Sequence, residues 1–209
     1  MIVKICGITS INDALAAVGS GADMLGFNFY EKSPRCISRQ TCQEIMQALP
    51  EGKVTTVGVF VNASAEQIIS IMDDCGLDLA QLSGDEDPQI LASLGTRAFK
   101  GLRPADEDSL QSDLARYPAH EGSPAWLVDA YRPGTFGGTG HTADWQLAAR
   151  LAWQFPILLA GGLRPENVAD AIAQVHPWGV DVASGVEISP GVKDHLKMQE
   201  FIKNAKLAG

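Results

Sequence analysis

The sequence predicts an α/β fold, a (β/α)8 TIM barrel built as one domain over residues 1–209. Three observations carry that prediction. Short apolar runs rich in β-branched and aromatic residues alternate with amphipathic stretches along the whole chain, the pattern of repeated βα units around a parallel sheet. Eight such units follow one another at even spacing, with no linker or shift of composition between them. The length of 209 residues is at the low end for a barrel, yet it suffices to bury a core without disulfides or metal. A six-strand doubly wound sheet is the alternative, but eight even units with no leftover half favour closure.

The first strand is IVKIC at 2–6. Side chains alternate across a strand, so bulky Val3 and Ile5 face the helices while Ile2, Lys4 and Cys6 point into the barrel. That places Cys6 at the C-terminal rim, where barrel enzymes carry their chemistry. The next strands are MLGFNF at 24–29, TTVGVFV at 55–61, LDLAQL at 77–82 and RAFKGL at 97–102. In the sixth, AWLVDA at 125–130, alternation turns Trp126 and Val128 to the helices and Ala125, Leu127 and Asp129 inward. PILLA at 156–160 and GVDVA at 179–183 complete the set. Strand eight neighbours strand one in a closed barrel, and its inward Asp181 is the expected partner of Lys4, because a buried ammonium needs one. Helix starts are legible too: Ser64 can cap AEQIISIM, and Pro165 fits a first helical position ahead of ENVADAIAQV.

Composition narrows the function. A content of 45% apolar and 20% charged residues, with no apolar run long enough to span a bilayer, reads as globular and not membrane-embedded. The opening MIVKICGIT lacks the apolar core and cleavage site of a secretory signal, which predicts a cytoplasmic protein. Cys6, Cys36, Cys42 and Cys75 are irregularly spaced, so neither a zinc site nor a disulfide framework is indicated. The four histidines, His120, His141, His176 and His195, fall in loops or helices, away from strand ends. A net charge of −9 argues against nucleic acid, and it means that any anionic ligand must be held by local dipoles and a few placed cations.

At the rim, Cys6 and Asp129 make a plausible acid–base pair. Each has a plainer reading: an isolated cysteine usually behaves as a small hydrophobe, and a carboxylate after a strand can simply cap a loop. FGGTG at 136–140, LAGGLRPENV at 159–168 and VASGVEISPG at 182–191 put small residues after strands, and the last two lead toward helix starts. Such loops let backbone N–H groups converge on an anion, although ordinary turn chemistry explains most glycines singly. The loops after strands seven and eight are where barrels commonly hold phosphate. YEKSPRCIS after strand two offers Lys32 and Arg35; an arginine there either holds a carboxylate through a two-pronged pair or is simply solvated.

Together these segments resemble a known family. VKICGIT at 3–9, GFNFYEKSPRCIS at 26–38, VGVFVN at 57–62, QLSGDE at 81–86, LVDA at 127–130 with FGGTGHTADW at 136–145, LAGGLRPENV and VDVASGVEISPGVKD at 180–194 are similar, in order and from end to end, to phosphoribosylanthranilate isomerase. The resemblance implies an Amadori rearrangement of a small-molecule substrate, phosphoribosylanthranilate, in tryptophan biosynthesis, with no metal or organic cofactor. It implies Cys6 as general base and Asp129 as general acid. Arg35 would engage the anthranilate carboxylate, and Gly161, Gly162, Ser184 and Gly185 would cradle the phosphate. Two positions depart from the pattern. Ser83 stands where the family usually has histidine, so nothing that a ring or its proton does there carries over, and Ala143 replaces an aromatic residue. Indole-glycerol-phosphate synthase and sugar-phosphate epimerases are the competing phosphate-binding barrels, without their lysine–glutamate or strand-end histidine patterns here. A barrel that binds phosphosugars without turnover is the non-enzymatic reading, and retention of both Cys6 and Asp129 weighs against it. A monomer and a homodimer both fit the sequence.

Overall fold

A computed structural model describes residues 1–129 and 145–209. FGGTG at 136–140, Ala130, His141 and Ala143 lie outside the described residues. Within them, eight parallel strands close into a barrel in sequence order. They are β1 (Ile2–Cys6), β2 (Met24–Asn28), β3 (Thr55–Phe60), β4 (Leu79–Leu82), β5 (Ala98–Leu102), β6 (Trp126–Val128), β7 (Ile157–Leu159) and β8 (Gly179–Val182). Closure is made by β8 against β1, with Lys4 level with Asp181 and, on the other side, with Met24. Each expected strand is found, most of them shorter than expected by a residue or two.

The helices between them are α1 (Ile11–Gly19), α2 (Arg39–Ala48), α3 (Ala65–Cys75), α4 (Pro88–Leu94), α5 (Glu107–Arg116), α6 (Trp145–Ala152), α7 (Val168–Val175) and α8 (His195–Ala208). Their starts follow the chemistry of free N–H groups. Ser10, Ser38, Asp87, Asp106 and Asp194 each accept a first-turn amide, and Ser64 with Gln67 forms a reciprocal box at α3. Pro165 is not a first helical residue, contrary to expectation. Asn167 caps α7 instead and is tied into the preceding turn, its side chain accepting from the Arg164 amide and donating to the Gly162 carbonyl. No helix among the described residues is long and apolar enough to cross a membrane.

Two apolar shells result. Met24, Val57, Phe99, Leu127, Leu158 and Ala160 pack inside the barrel, while Val3, Ile5, Trp126 and Val128 belong to the larger shell between strands and helices. Alternation therefore holds on β1 and β6. Ala125 is an exception: it lies before β6 begins and packs with the outer shell. Beyond β8 the chain does not run straight into a helix. Ser184–Val186 forms one 3-10 turn, and β9 (Glu187–Ser189) and β10 (Val192–Lys193) make a small antiparallel hairpin before α8.

Candidate active site

Cys6 ends β1 with its side chain turned inward and only partly exposed. Its neighbour on β2 is Gly26, where a Cβ would fall 2.8 Å from the Cys6 Sγ and 3.2 Å from the Lys4 Nζ. The missing side chain makes room for thiol and ammonium together. Lys4 has no solvent contact; its Nζ donates to Asp181 Oδ1 at 2.7 Å and to Gln81 Oε1 at 2.9 Å. Gln81 in turn donates to Ser83 Oγ at 2.9 Å, so a polar spine crosses the barrel from β8 through β1 to the end of β4.

That spine sets the charges. Burial would discharge Lys4, but the Asp181 carboxylate and then Cys6 outweigh it and hold the ammonium above the usual lysine range. For Cys6, burial pushes the thiol up, Lys4 pulls it down, Asp181 adds to the rise, and Lys193 opposes it; the net direction is upward.

Asp129 follows β6, and its amide donates to the Leu102 carbonyl at 2.9 Å, prolonging the ladder by one residue. It lines a cleft with Gly161, Gly162, Asp181, Ser184 and Gly185. Asp181 is thus the link between this cleft and the Lys4–Cys6 side. Gly161 and Gly162 both take positive φ, +92° and +67°, a pair of conformations that side chains resist. Gly185 presses on the other loop: a Cβ there would lie 1.9 Å from the Leu163 carbonyl oxygen. Among the described residues, no loop hydrogen bond uses the amides of Gly161, Gly162, Ser184 or Gly185 as donors. A larger cavity opens at the opposite, N-terminal end of the strands, lined by Ile2, Asp23, Lys53, Asp78 and Trp178. It holds none of the rim residues named above.

Arg35 meets a carboxylate, but it is the protein's own. Its Nε and Nη2 donate to the two oxygens of Glu187 at 2.8 and 2.7 Å. The Glu187 carboxyl is consequently held below its usual range: burial raises it, and the bonds from Arg35 and Lys193 more than reverse that. The bidentate pair occupies one edge of the guanidinium, and Nη1 makes no hydrogen bond among the described residues.

A family model described as N-(5'phosphoribosyl)anthranilate (PRA) isomerase matches residues 3–204. The chain belongs to the phosphoribosylanthranilate isomerase family. It is 48% identical over 204 residues to the isomerase of Pelobacter propionicus, covering 98% of this chain and 95% of that one. The Pseudomonas fluorescens isomerase is 49% identical over 199 residues, 95% of each chain. Among solved structures, phosphoribosylanthranilate isomerase from Thermotoga maritima superposes with a TM-score of 0.88 at 42% identity, over 99% of both chains. Another, in complex with reduced 1-(o-carboxyphenylamino)-1-deoxyribulose 5-phosphate, gives 0.84 at 39% identity, again over 99% of both. This isomerase is accordingly an enzyme of tryptophan biosynthesis.

Two residues of the isomerase rim escape a reading of strand ends. Glu187 and Lys193 lie in VEISPGVKD, where attention falls on the glycines. Nothing in so short a hairpin has a period to follow, and the signal available was charge alone: a lysine and a glutamate in a segment that must return across the mouth of the barrel.

Proposed function

We propose that this isomerase converts phosphoribosylanthranilate to the aminoketose with Asp129 as general acid and Cys6 as general base. Asp129 protonates the ring oxygen, so the furanose opens to a cationic Schiff base. Cys6 then removes the proton from the second ribose carbon, and the electrons flow to the nitrogen. The observation that carries this reading is the shared cleft: Asp129, both glycine loops and Asp181 border one space, and Asp181 is joined through Lys4 to the wall that bears Cys6. A thiol raised by burial is a weak base until a cation steadies its thiolate, and Lys4 is placed to do so. The Schiff base adds a second positive charge at the moment of need.

The substrate phosphate sits on the amides of Gly161, Gly162, Ser184 and Gly185, which donate to no loop partner among the described residues, a setting in which backbone dipoles offset the unfavourable net charge of −9. Its positive end comes from a single 3-10 turn where sequence suggested a helix start. Arg35 receives the anthranilate carboxylate on its Nη1 edge while Glu187 fixes the other. All these groups come from one chain, so a monomer and a homodimer both accommodate the chemistry; the Thermotoga maritima relative is dimeric. A reduced thiol at the centre suits the cytoplasm, and the acidic surface suits neither nucleic acid nor an anionic membrane.

Turnover is read from the loss of anthranilate-type fluorescence. Cys6→Ala and Asp129→Asn should each reduce kcat about a hundredfold to ten-thousandfold while inorganic phosphate still binds. Deuterium at the second ribose carbon should slow the wild type, and slower ring opening in Asp129→Asn should mute that isotope effect. Near wild-type turnover of Cys6→Ala would remove the base assignment, and binding without turnover in the wild type would favour a binding protein.

A further inference from the structure

The mechanism above leaves a buried cation next to Cys6 without a task. Lys193, on β10, is 2% exposed, and its Nζ donates to three oxygens: the Cys6 carbonyl at 2.6 Å, Glu187 Oε1 at 2.9 Å and the Ala183 carbonyl at 3.1 Å. It therefore ties the end of β1 to the end of β8 at the level of the thiol. Its backbone is fixed as well, since the Lys193 amide donates to Asp13 Oδ2, whose other oxygen takes a 2.7 Å bond with the His195 ring. A side chain held at both ends is preorganised, and its geometry is set before any substrate arrives.

We propose that Lys193 is a positioning residue of the isomerisation: it seats the Cys6 backbone and holds an ammonium, paired with Glu187, beside the thiol. The proposal rests on the reading of Cys6 as base. The charged groups that face Cys6 are Lys4 from its own strand, Asp181 from β8, Arg35 from the loop after β2, and Lys193 with Glu187 from the hairpin. Gly26 brings no charge from β2. Asp181 is matched by Lys4, and Glu187 is shared between Arg35 and Lys193. Removing Lys193 leaves Glu187 with one cation and the thiol with a less positive surround. Cys6 then ionises at higher pH.

The test follows alkylation of Cys6 by iodoacetamide against pH, with mass spectrometry to separate it from the other cysteines, alongside steady-state kinetics. In Lys193→Met the alkylation midpoint should move to higher pH, and kcat at neutral pH should fall at least about tenfold, part of the way to the loss expected without a base. Lys193→Arg should restore much of both. Should Lys193→Met fail to fold, Lys193→Gln keeps a hydrogen-bond donor without the charge, and its midpoint should also rise. A midpoint that stays put, or drops toward that of an ordinary solvated thiol because the site has merely loosened, overturns the proposal. The midpoint is measured without turnover, so Lys193 is judged separately from the base assignment, which stands or falls on Cys6→Ala.

Discussion

A lysine with no solvent contact is tolerated at position 4 because two acceptors on other strands, Asp181 and Gln81, replace the water it has lost. The pair was legible from sequence by two rules alone, alternation along a strand and adjacency of the first and last strands in a closed barrel. Its energetics follow. Lys4→Met strips the buried Asp181 carboxylate of its ion-pair partner and should cost about 3–5 kcal/mol, measured by urea unfolding at neutral pH. Because Lys4 is held above the usual lysine value in the folded state, its stabilising contribution is complete below the unfolded pKa of about 10.4. It fades only as pH climbs through the higher folded value. The stability gap between wild type and variant should therefore stay constant through neutral pH and narrow in strong alkali; narrowing on the acid side of neutrality would contradict the sign. Arg35 shows the opposite limit of sequence reading. That it could hold a carboxylate was visible beside the plainer reading of a solvated arginine, but Glu187, which takes one edge of it, sits 152 positions away on a hairpin that no periodicity announces.

The elements that shape the cleft are the loops after β7 and β8, and they work as one unit because Gly185 lies against the Leu163 carbonyl. Their glycine content was readable; their interlock was not, since it depends on how far each loop rises above its strand. Gly185→Ala places a methyl group where the contact allows no atom, so the loops must part. Binding of inorganic phosphate, followed by isothermal titration, should weaken by at least about tenfold, on the order of 1.4 kcal/mol, with the fold retained by circular dichroism. Unaltered phosphate affinity would move the anion site elsewhere. A second buried pair anchors the β4–α4 loop, across the barrel from β8. Lys100 Nζ meets Glu86 Oε2 at 2.6 Å, and Glu86 Oε1 accepts from the Gly84 and Asn62 amides, which keeps Ser83 in place at the end of the polar spine. Burial holds the Lys100 ammonium below the usual range despite that partner.

At the scale of the whole molecule, stability and chemistry draw on different side chains of one barrel interior. Met24, Val57, Phe99, Leu127 and Leu158 form its apolar layer, and Lys4 with Asp181 forms a charged layer beside it, Lys4 being level with Met24. Leu158→Ala removes a side chain with no exposure and should destabilise by about 2–5 kcal/mol. Specific activity per folded molecule at low temperature should change less than twofold, and a large loss there would show that the two layers are mechanically coupled. The barrel itself was plain in the sequence because eight units repeat one pattern, and repetition averages out errors at single residues. The cleft was harder because each of its contacts occurs once.

Barrel closure also imposes an order on events during synthesis. Lys4 leaves the ribosome 177 residues ahead of Asp181, and the Cys6 carbonyl waits 187 positions for the ammonium of Lys193. Until then the first strand carries a lysine with only the neutral Gln81 to bond and a thiol without its Lys193 contact, which favours keeping it wet and unpaired. Nascent chains released before the eighth strand should therefore be inert, with Cys6 open to modification, and only near the end of translation does the thiol pass from a chemical liability to a guarded group.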